Sequence, residues 1–286
     1  SPTWAPDGTR LAFISERLGQ LQIFVMNADG SNIVQLTDVP DTAGWWEPLS
    51  WSPDGQRIVA SRIPTKLAWV DRGQINLYII NTNGSGTTQI TTNEVGNDLN
   101  PHWSPDGKFI AFARSAYGQI GIYSIFPDGS NLTALVLNVG NDGIFDWTPN
   151  GQLYYLSTDT PCLASGCVLV DEIGIINADG TNQKPLLTLK LREPPCTSGN
   201  LISSPDGTRL LIRFPFGCAN EGQLFIVDSD GANFRELLKS KNLNLSPGEW
   251  ISQTNWSPDG RFVIFVAGMD PNQDIYILDV GKALQD

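Results

Sequence analysis

The chain is poor in the side chains from which most catalytic centres are built: one histidine, two methionines and four cysteines in 286 residues. The single histidine, His102, stands directly before Trp103, and a lone imidazole beside a large packing residue reads as structural. No Gly-x-Ser-x-Gly elbow, phosphate loop, dinucleotide fingerprint or His-rich metal motif occurs, so the patterns of the commonest hydrolases, nucleotidases and dehydrogenases are missing. The expectation is a protein that is not an enzyme. Positive charge is scarce as well, with 18 Lys and Arg against 30 Asp and Glu and a net charge of −12. Such a surface repels phosphate backbones, and the densest basic group, Arg235, Lys239 and Lys241, is diluted by Glu236. Nucleic acid is therefore not an expected partner. Long apolar runs are lacking too. The longest, Phe262 to Met269, lies between Arg261 and Asp270, far below the roughly 18 residues of a membrane helix, and reads as a buried strand. The chain starts at Ser1 already inside its first repeat, so the lack of a leader carries no information.

What is abundant is turn chemistry, with 28 Gly and 19 Pro. Trp51-Ser52-Pro53-Asp54-Gly55 recurs, with variations, at Trp4 to Gly8, Trp103 to Gly107, Trp147 to Gly151, Ser203 to Gly207 and Trp256 to Gly260. The proline presets φ, the aspartate bonds its own turn and the glycine takes positive φ, which together make a tight hairpin turn. The tryptophan ends the incoming strand, where its apolar area wedges between neighbouring units. Asn150 replaces the aspartate in the fourth copy and Ser203 the tryptophan in the fifth, where looser packing is expected. Successive copies are 47, 52, 44, 56 and 53 residues apart, the period of propeller blades.

Each turn is followed by an alternating run, for example Arg10 to Ser15 or Phe262 to Ala267, then a second, such as Ile23 to Asn27 or Ile275 to Asp279, and a weaker third, such as Ile33 to Thr37 or Thr87 to Thr91. With the tryptophan-bearing strand first, every unit is a four-stranded meander. The expected fold is an all-β, six-bladed β-propeller of four-stranded antiparallel blades. It forms a single domain over residues 1–286, with blades near 1–38, 39–92, 93–137, 138–188, 189–239 and 240–286. From Trp256 through Asp286 back to Trp4 there are only 34 positions, so the last blade is short by about one loop. Lys282 to Asp286 are expected to form a stubby fourth strand, the alternative being a strand upstream of Ser1.

The unit Trp-Ser-Pro-Asp-Gly, Ile-Ala-Phe, Ile-Tyr, Asp-Gly, Leu-Thr resembles the WD-like propeller repeat of the TolB family, which also occurs in propellers of prolyl-oligopeptidase-type and tricorn peptidases. The resemblance covers the whole chain. It implies binding of a peptide segment or lipoprotein partner at the propeller's funnel, in a secreted or periplasmic protein. The TolB family also has an extra N-terminal domain, which is not expected within residues 1–286.

The first-to-second-strand turns are uniform, whereas the opposite connections vary from Ser15–Leu21 to Arg62–Asn76 and Thr158–Glu172. Variety confined to one face places binding there. Glu47, Asp98, Asp142 and Glu249 belong to segments expected to surround the channel mouth and are candidates for a calcium ion, although no cofactor is expected; the plainer reading is a hydrated acidic funnel. Trp45, Trp46, Trp69 and Trp250 are expected to be exposed recognition residues, about half of them reverting to packing. Cys162, Cys167, Cys196 and Cys218 all fall on the variable face, with Cys162–Cys167 and Cys196–Cys218 the economical pairing of three. These disulfides would contribute roughly 2 and 3 kcal/mol and imply an oxidising, extracytoplasmic compartment.

The expected function is a non-catalytic protein-binding scaffold acting through its loop-rich face and funnel. The alternatives are an accessory propeller of a larger peptidase, a lactonase-like or polysaccharide-active propeller with a channel cation, and a surface-assembly protein that self-associates through its incomplete last blade.

Overall fold

The computed structural model describes residues 2–38, 44–63, 74–92, 96–139, 143–159, 162–163, 166–167, 169–191, 200–213, 224–238, 250–269 and 272–285. Six antiparallel meanders follow one another, and the fold is the six-bladed β-propeller that the repeats demand. Blade one holds β1–β4 (Thr3–Trp4, Arg10–Ser15, Gln22–Asn27, Val34–Gln35) and blade two β5–β8 (Gly44–Trp51, Arg57–Ile63, Asn76–Asn81, Thr87–Gln89). Blade three holds β9–β12 (Asn97–Trp103, Ile110–Ala116, Gln119–Ile125, Thr133–Val136). In blade four, β13 (Phe145–Trp147), β14 (Gln152–Asp159), β17 (Leu169–Asn177) and β18 (Lys184–Leu191) form the sheet, and a small hairpin, β15 (Cys162–Leu163) with β16 (Gly166–Cys167), rises from its second connection. Blade five holds β19–β22 (Asn200–Ser203, Arg209–Arg213, Leu224–Asp228, Arg235–Leu238).

Blade six departs from the expectation. It has three strands, β23–β25 (Trp250–Trp256, Phe262–Met269, Asn272–Asp279), and the chain then turns into a one-turn helix α1 (Val280–Ala283) instead of a fourth strand. Asp279 decides this locally: its side chain accepts a hydrogen bond from the Lys282 backbone N–H and caps the helix. Strand β24 is also buried on one face only, since Val263, Phe265 and Ala267 are buried while Ile264 is exposed.

Each hairpin turn closes as its residues dictate. In blade two Gly55 N–H donates to the Ser52 carbonyl at 2.8 Å, the Ser52 hydroxyl donates to Asp54 and the Gln56 N–H reaches the same carboxylate at 3.0 Å. These donors, Ser52 first, hold the Asp54 carboxyl below the usual carboxylate range. Asp106, Asp206 and Asp259 repeat the serine contact, and Asn150 substitutes by bonding to Thr148.

The chain forms two compact units, residues 1–138 with 178–180, and residues 139–177 with 181–286. Within the first, Trp51 and Trp103 are buried; Trp51 Nε1 donates to the Thr3 carbonyl at 3.2 Å and stacks under Arg10, while Arg57 lies over Trp103 at 4.7 Å. Within the second, Trp256 Nε1 donates to the Ile202 carbonyl at 3.1 Å. Each tryptophan thus ties its blade to the preceding one. Inside a blade, the second and third strands stack aromatics, as Phe13 on Phe24, Phe112 on Tyr123 and Phe265 on Tyr276. In blade four Gly174 takes the third-strand position, and Tyr155 fills the space so closely that a Cβ on Gly174 would lie 2.2 Å from its ring.

Candidate functional site

The innermost strands of blades two, three and six carry bulges, between Trp46 and Ser50, opposite Ala111–Ala113, and between Ser252 and Asn255. Asn100 and Gln253 adopt positive φ there. Bulges re-aim side chains and break pairing, and these lie on the strands expected to border the channel.

In the first unit the site is built around Asp98. Strand β9 enters beside the last residues of β10, pairing Asn97 with Ser115 and Asp98 with Arg114. The Asp98 side chain is fully buried, and Arg114 grips both its oxygens, Nε to Oδ1 at 2.6 Å and Nη2 to Oδ2 at 2.9 Å. The guanidinium also lies over the Phe112 and Tyr123 rings. From blade two the Ser61 hydroxyl donates to the Asp98 carbonyl at 3.0 Å, and Asp98 N–H donates to the Ile75 carbonyl at 2.9 Å. Asp98 therefore differs from its expected role: a cation would have to displace a bidentate guanidinium from a desolvated carboxylate. Trp45 differs as well. It is 1% exposed and packed edge-on against Tyr78, which also carries Arg62 over its ring at 5.3 Å, because the first strand of blade two turns this residue into the core shared with Ala12, Ile23 and Val25.

Trp46 and Glu47 belong to β5, with Trp46 opposite Ser61, and Trp250 opens β23 opposite Gly268. Trp69, Asp142, Glu249, Cys196 and Cys218 lie outside the described residues. Cys162 and Cys167 are direct cross-strand partners in the β15–β16 hairpin, a register whose Cα separation suits a disulfide. Among the described residues no group of three or more His, Cys, Asp or Glu is disposed to hold a metal ion, and no helix is long and apolar enough to cross a membrane. His102 sits in β9 opposite Ala111, and burial pushes its pKa down to about 4, so it is uncharged at neutral pH.

Two residues matter more than the sequence suggested. Arg213 is partly buried, its Nη1 donating to the Ile251 carbonyl at 3.3 Å, and burial lowers its pKa. Asp146 accepts the Ser203 N–H at 2.8 Å, filling with a side chain the place where the Ser50 hydroxyl serves Trp103 N–H in the first unit. Burial nevertheless raises the Asp146 pKa to about 7 against the hydrogen bonds from Ser203 and Trp147. The folded state then holds a proton that the unfolded chain releases near pH 4, so this contribution to stability is full below pH 4 and is lost as pH rises to 7. Moving from 3.8 to about 7 corresponds to at most about 4 kcal/mol; because part of the residue reaches solvent, about 1–2 kcal/mol is expected. Asp146→Asn should melt higher than the parent at pH 7.5 and equally at pH 4. Equal melting temperatures at both pH values would discard this account.

The repeated turn, the blade-to-blade tryptophan ties and the buried ion pair define a tandem-repeat propeller in which the innermost strands are fixed by polar contacts between successive blades. A family model described as the TolB beta propeller domain matches residues 38–211. The chain belongs to that family. Among curated proteins, the Protein TolB homolog of Chlorobaculum tepidum is 36% identical over 125 residues, 43% of this chain and 26% of its own length. The Uncharacterized peptidase YuxL of Bacillus subtilis is 29% identical over 143 residues, 40% of this chain and 21% of its own length. The chain thus spans about a quarter or less of these relatives. Among solved structures, TolB from Acinetobacter baumannii superposes with a TM-score of 0.61 at 17% identity, covering 96% of this chain and 62% of that one, a likeness of fold.

Proposed function

We propose that residues 1–286 act as one non-catalytic, extracytoplasmic binding scaffold that needs no cofactor and takes a protein or peptide on its loop-rich face. The observation that carries this reading is the state of Asp98 and His102. Asp98, a fully buried carboxylate, is consumed by Arg114, and the one imidazole, opposite Ala111 in β9, is uncharged at neutral pH, so both groups are read as holding the inner strand of blade three. A rigid inner frame beneath connections of unequal length is the arrangement by which scaffolds present recognition residues; Trp46, Trp69 and Trp250 are the proposed anchors. A relative named for TolB supports the reading, and a relative named as a peptidase supports the rival one, an accessory propeller.

The test is to pan a displayed peptide library against the protein and counter-select with a Trp46→Ala/Trp250→Ala variant. Enriched peptides that bind the parent and lose at least tenfold on the variant are expected. Turnover of peptide or polysaccharide substrates by the purified protein, abolished by Asp98→Asn, would overturn it. The extracytoplasmic assignment has its own check: non-reduced peptide mapping of secreted protein is expected to yield Cys162 linked to Cys167, whereas alkylation of all four cysteines without reductant would reject it.

A further inference from the structure

One arginine of the repeat stands apart. The arginine two positions after the turn glycine recurs as Arg10, Arg57 and Arg209. In blades one and two it is engaged by its surroundings. Arg10 lies over Trp51 of the next blade at 5.1 Å, donates to the Gly55 carbonyl at 2.9 Å and pairs with Asp7; Arg57 lies over Trp103 at 4.7 Å and pairs with Asp54. Blade five offers the same partners. Trp256 is buried and donates to the Ile202 carbonyl as Trp51 does to that of Thr3, and Asp206 stands three residues before Arg209. Yet among the described residues the Arg209 guanidinium stacks on no ring and joins no hydrogen bond or ion pair.

Arg209 instead lines a cleft of about 470 Å³, inside the range of small-molecule sites, about 300–1,000 Å³. Residues of β20, β21 and β22 line it together with Leu284, the C-cap of α1, whose carbonyl accepts Arg235 Nη1 at 3.1 Å. Two guanidiniums therefore border one cavity in a chain of net charge −12. The other lining groups narrow the ligand. Asp228 has its Oδ2 taken by Asn233 Nδ2 at 2.6 Å, which leaves Oδ1 to accept from a ligand. A carboxylate beside the arginines disfavours a dianion such as phosphate and favours a monoanion that brings a donor of its own. Phe234, stacked on Phe225 with ring centroids 5.1 Å apart, and Leu284 supply apolar surface.

We propose that this cleft binds a small organic acid of the α-amino- or α-hydroxy-acid class with an apolar side chain. Arg209 and Arg235 hold its carboxylate, its α-ammonium or hydroxyl donates to Asp228 Oδ1, and its side chain lies on Phe234 and Leu284. All the lining residues belong to the second compact unit. The pairing of Arg209 with Asp228 puts the site at the tight-turn end of blade five, away from the loop-rich face, so it goes beyond the function proposed for that face.

The probes are L-leucine, L-phenylalanine and their α-hydroxy analogues, leucate and phenyllactate, titrated onto the full chain by calorimetry. Saturable binding of at least one is expected. Its amide, which lacks the carboxylate charge, should bind at least tenfold more weakly, and the acid without the α-group about three- to tenfold more weakly, the loss of one hydrogen bond. Arg209→Met keeps an apolar stem, removes the charge and should weaken binding at least tenfold. Arg235→Gln, on an exposed side chain, should weaken it as well and keeps the test open if the first variant fails to fold. Lys108→Met removes the same charge from a turn of blade three and should leave binding unchanged. Saturable binding by none of the four probes, or binding untouched by the arginine variants, overturns the proposal. Inorganic phosphate binding as tightly as the acids, and lost in Arg209→Met, would make the cleft a general anion site and overturns it also.

Discussion

Arg114→Ala is expected to lower the free energy of unfolding by about 3–5 kcal/mol, because it strands the fully buried Asp98 carboxylate without its counter-ion. The loss exceeds that of a surface ion pair, worth at most about 1 kcal/mol, since water cannot replace the guanidinium at both oxygens. Part of the cost is apolar: the Arg114 side chain also covers the Phe112 and Tyr123 rings. Urea unfolding should show a lower midpoint with an unchanged slope. Arg114→Lys should recover little, as an ammonium does not make the two parallel bonds. Asp98→Leu combined with Arg114→Met should recover most of the stability, because a desolvated pair is worth little more than well-packed apolar side chains. A cost below about 1 kcal/mol for Arg114→Ala would mean that solvent reaches Asp98.

Gly96→Ala is expected to cost about 3 kcal/mol or more. Gly96 has a φ of +116°, and a Cβ there would lie 1.9 Å from the Ser115 carbonyl oxygen, a backbone atom that has no alternative rotamer. To relieve the clash, the start of β9 must move away from β10, and that movement breaks the pairing of Asn97 with Ser115 and Asp98 with Arg114. Gly118→Ala is the control. It also sits at positive φ, +78°, but a Cβ meets nothing within 4 Å, so only the conformational cost of about 1 kcal/mol applies. Thermal melts of the two variants should therefore separate by several degrees; coincident melts would show that β9 can shift freely. Because the frame under the loop-rich face is held at this point, the same substitution should also weaken peptide binding.

Much of the fold was legible because its signals are local. Ser-Pro-Asp-Gly closes a turn through bonds between residues two to five apart, as at Ser52, Asp54 and Arg57, and six such turns at blade spacing leave few other architectures. The position of His102 before Trp103 was enough to read it as structural, and it takes its place in β9 opposite Ala111. Less of the site was legible. Trp45 and Trp46 are adjacent tryptophans with the same composition around them, and only the direction of β5 decides that Trp45 enters the core. Asp146 stands directly before Trp147 in the sequence, but its raised pKa comes from burial, working against a hydrogen bond from Ser203, 57 residues away.

The last blade shows the limit most clearly. Its length deficit could be counted from the spacing of repeats, yet Lys282 looked able to join a strand until Asp279 capped the backbone N–H of Lys282 and wound the segment into α1. By itself, then, the sequence determined the turns, the number of blades, the order of strands and the absence of common catalytic motifs, since each depends on contacts within a few residues. Only the tertiary structure decided which carboxylate is spent and which tryptophan is buried. Those outcomes depend on desolvation and on partners brought from 16 or more residues away, as Arg114 is to Asp98, and no local pattern encodes them.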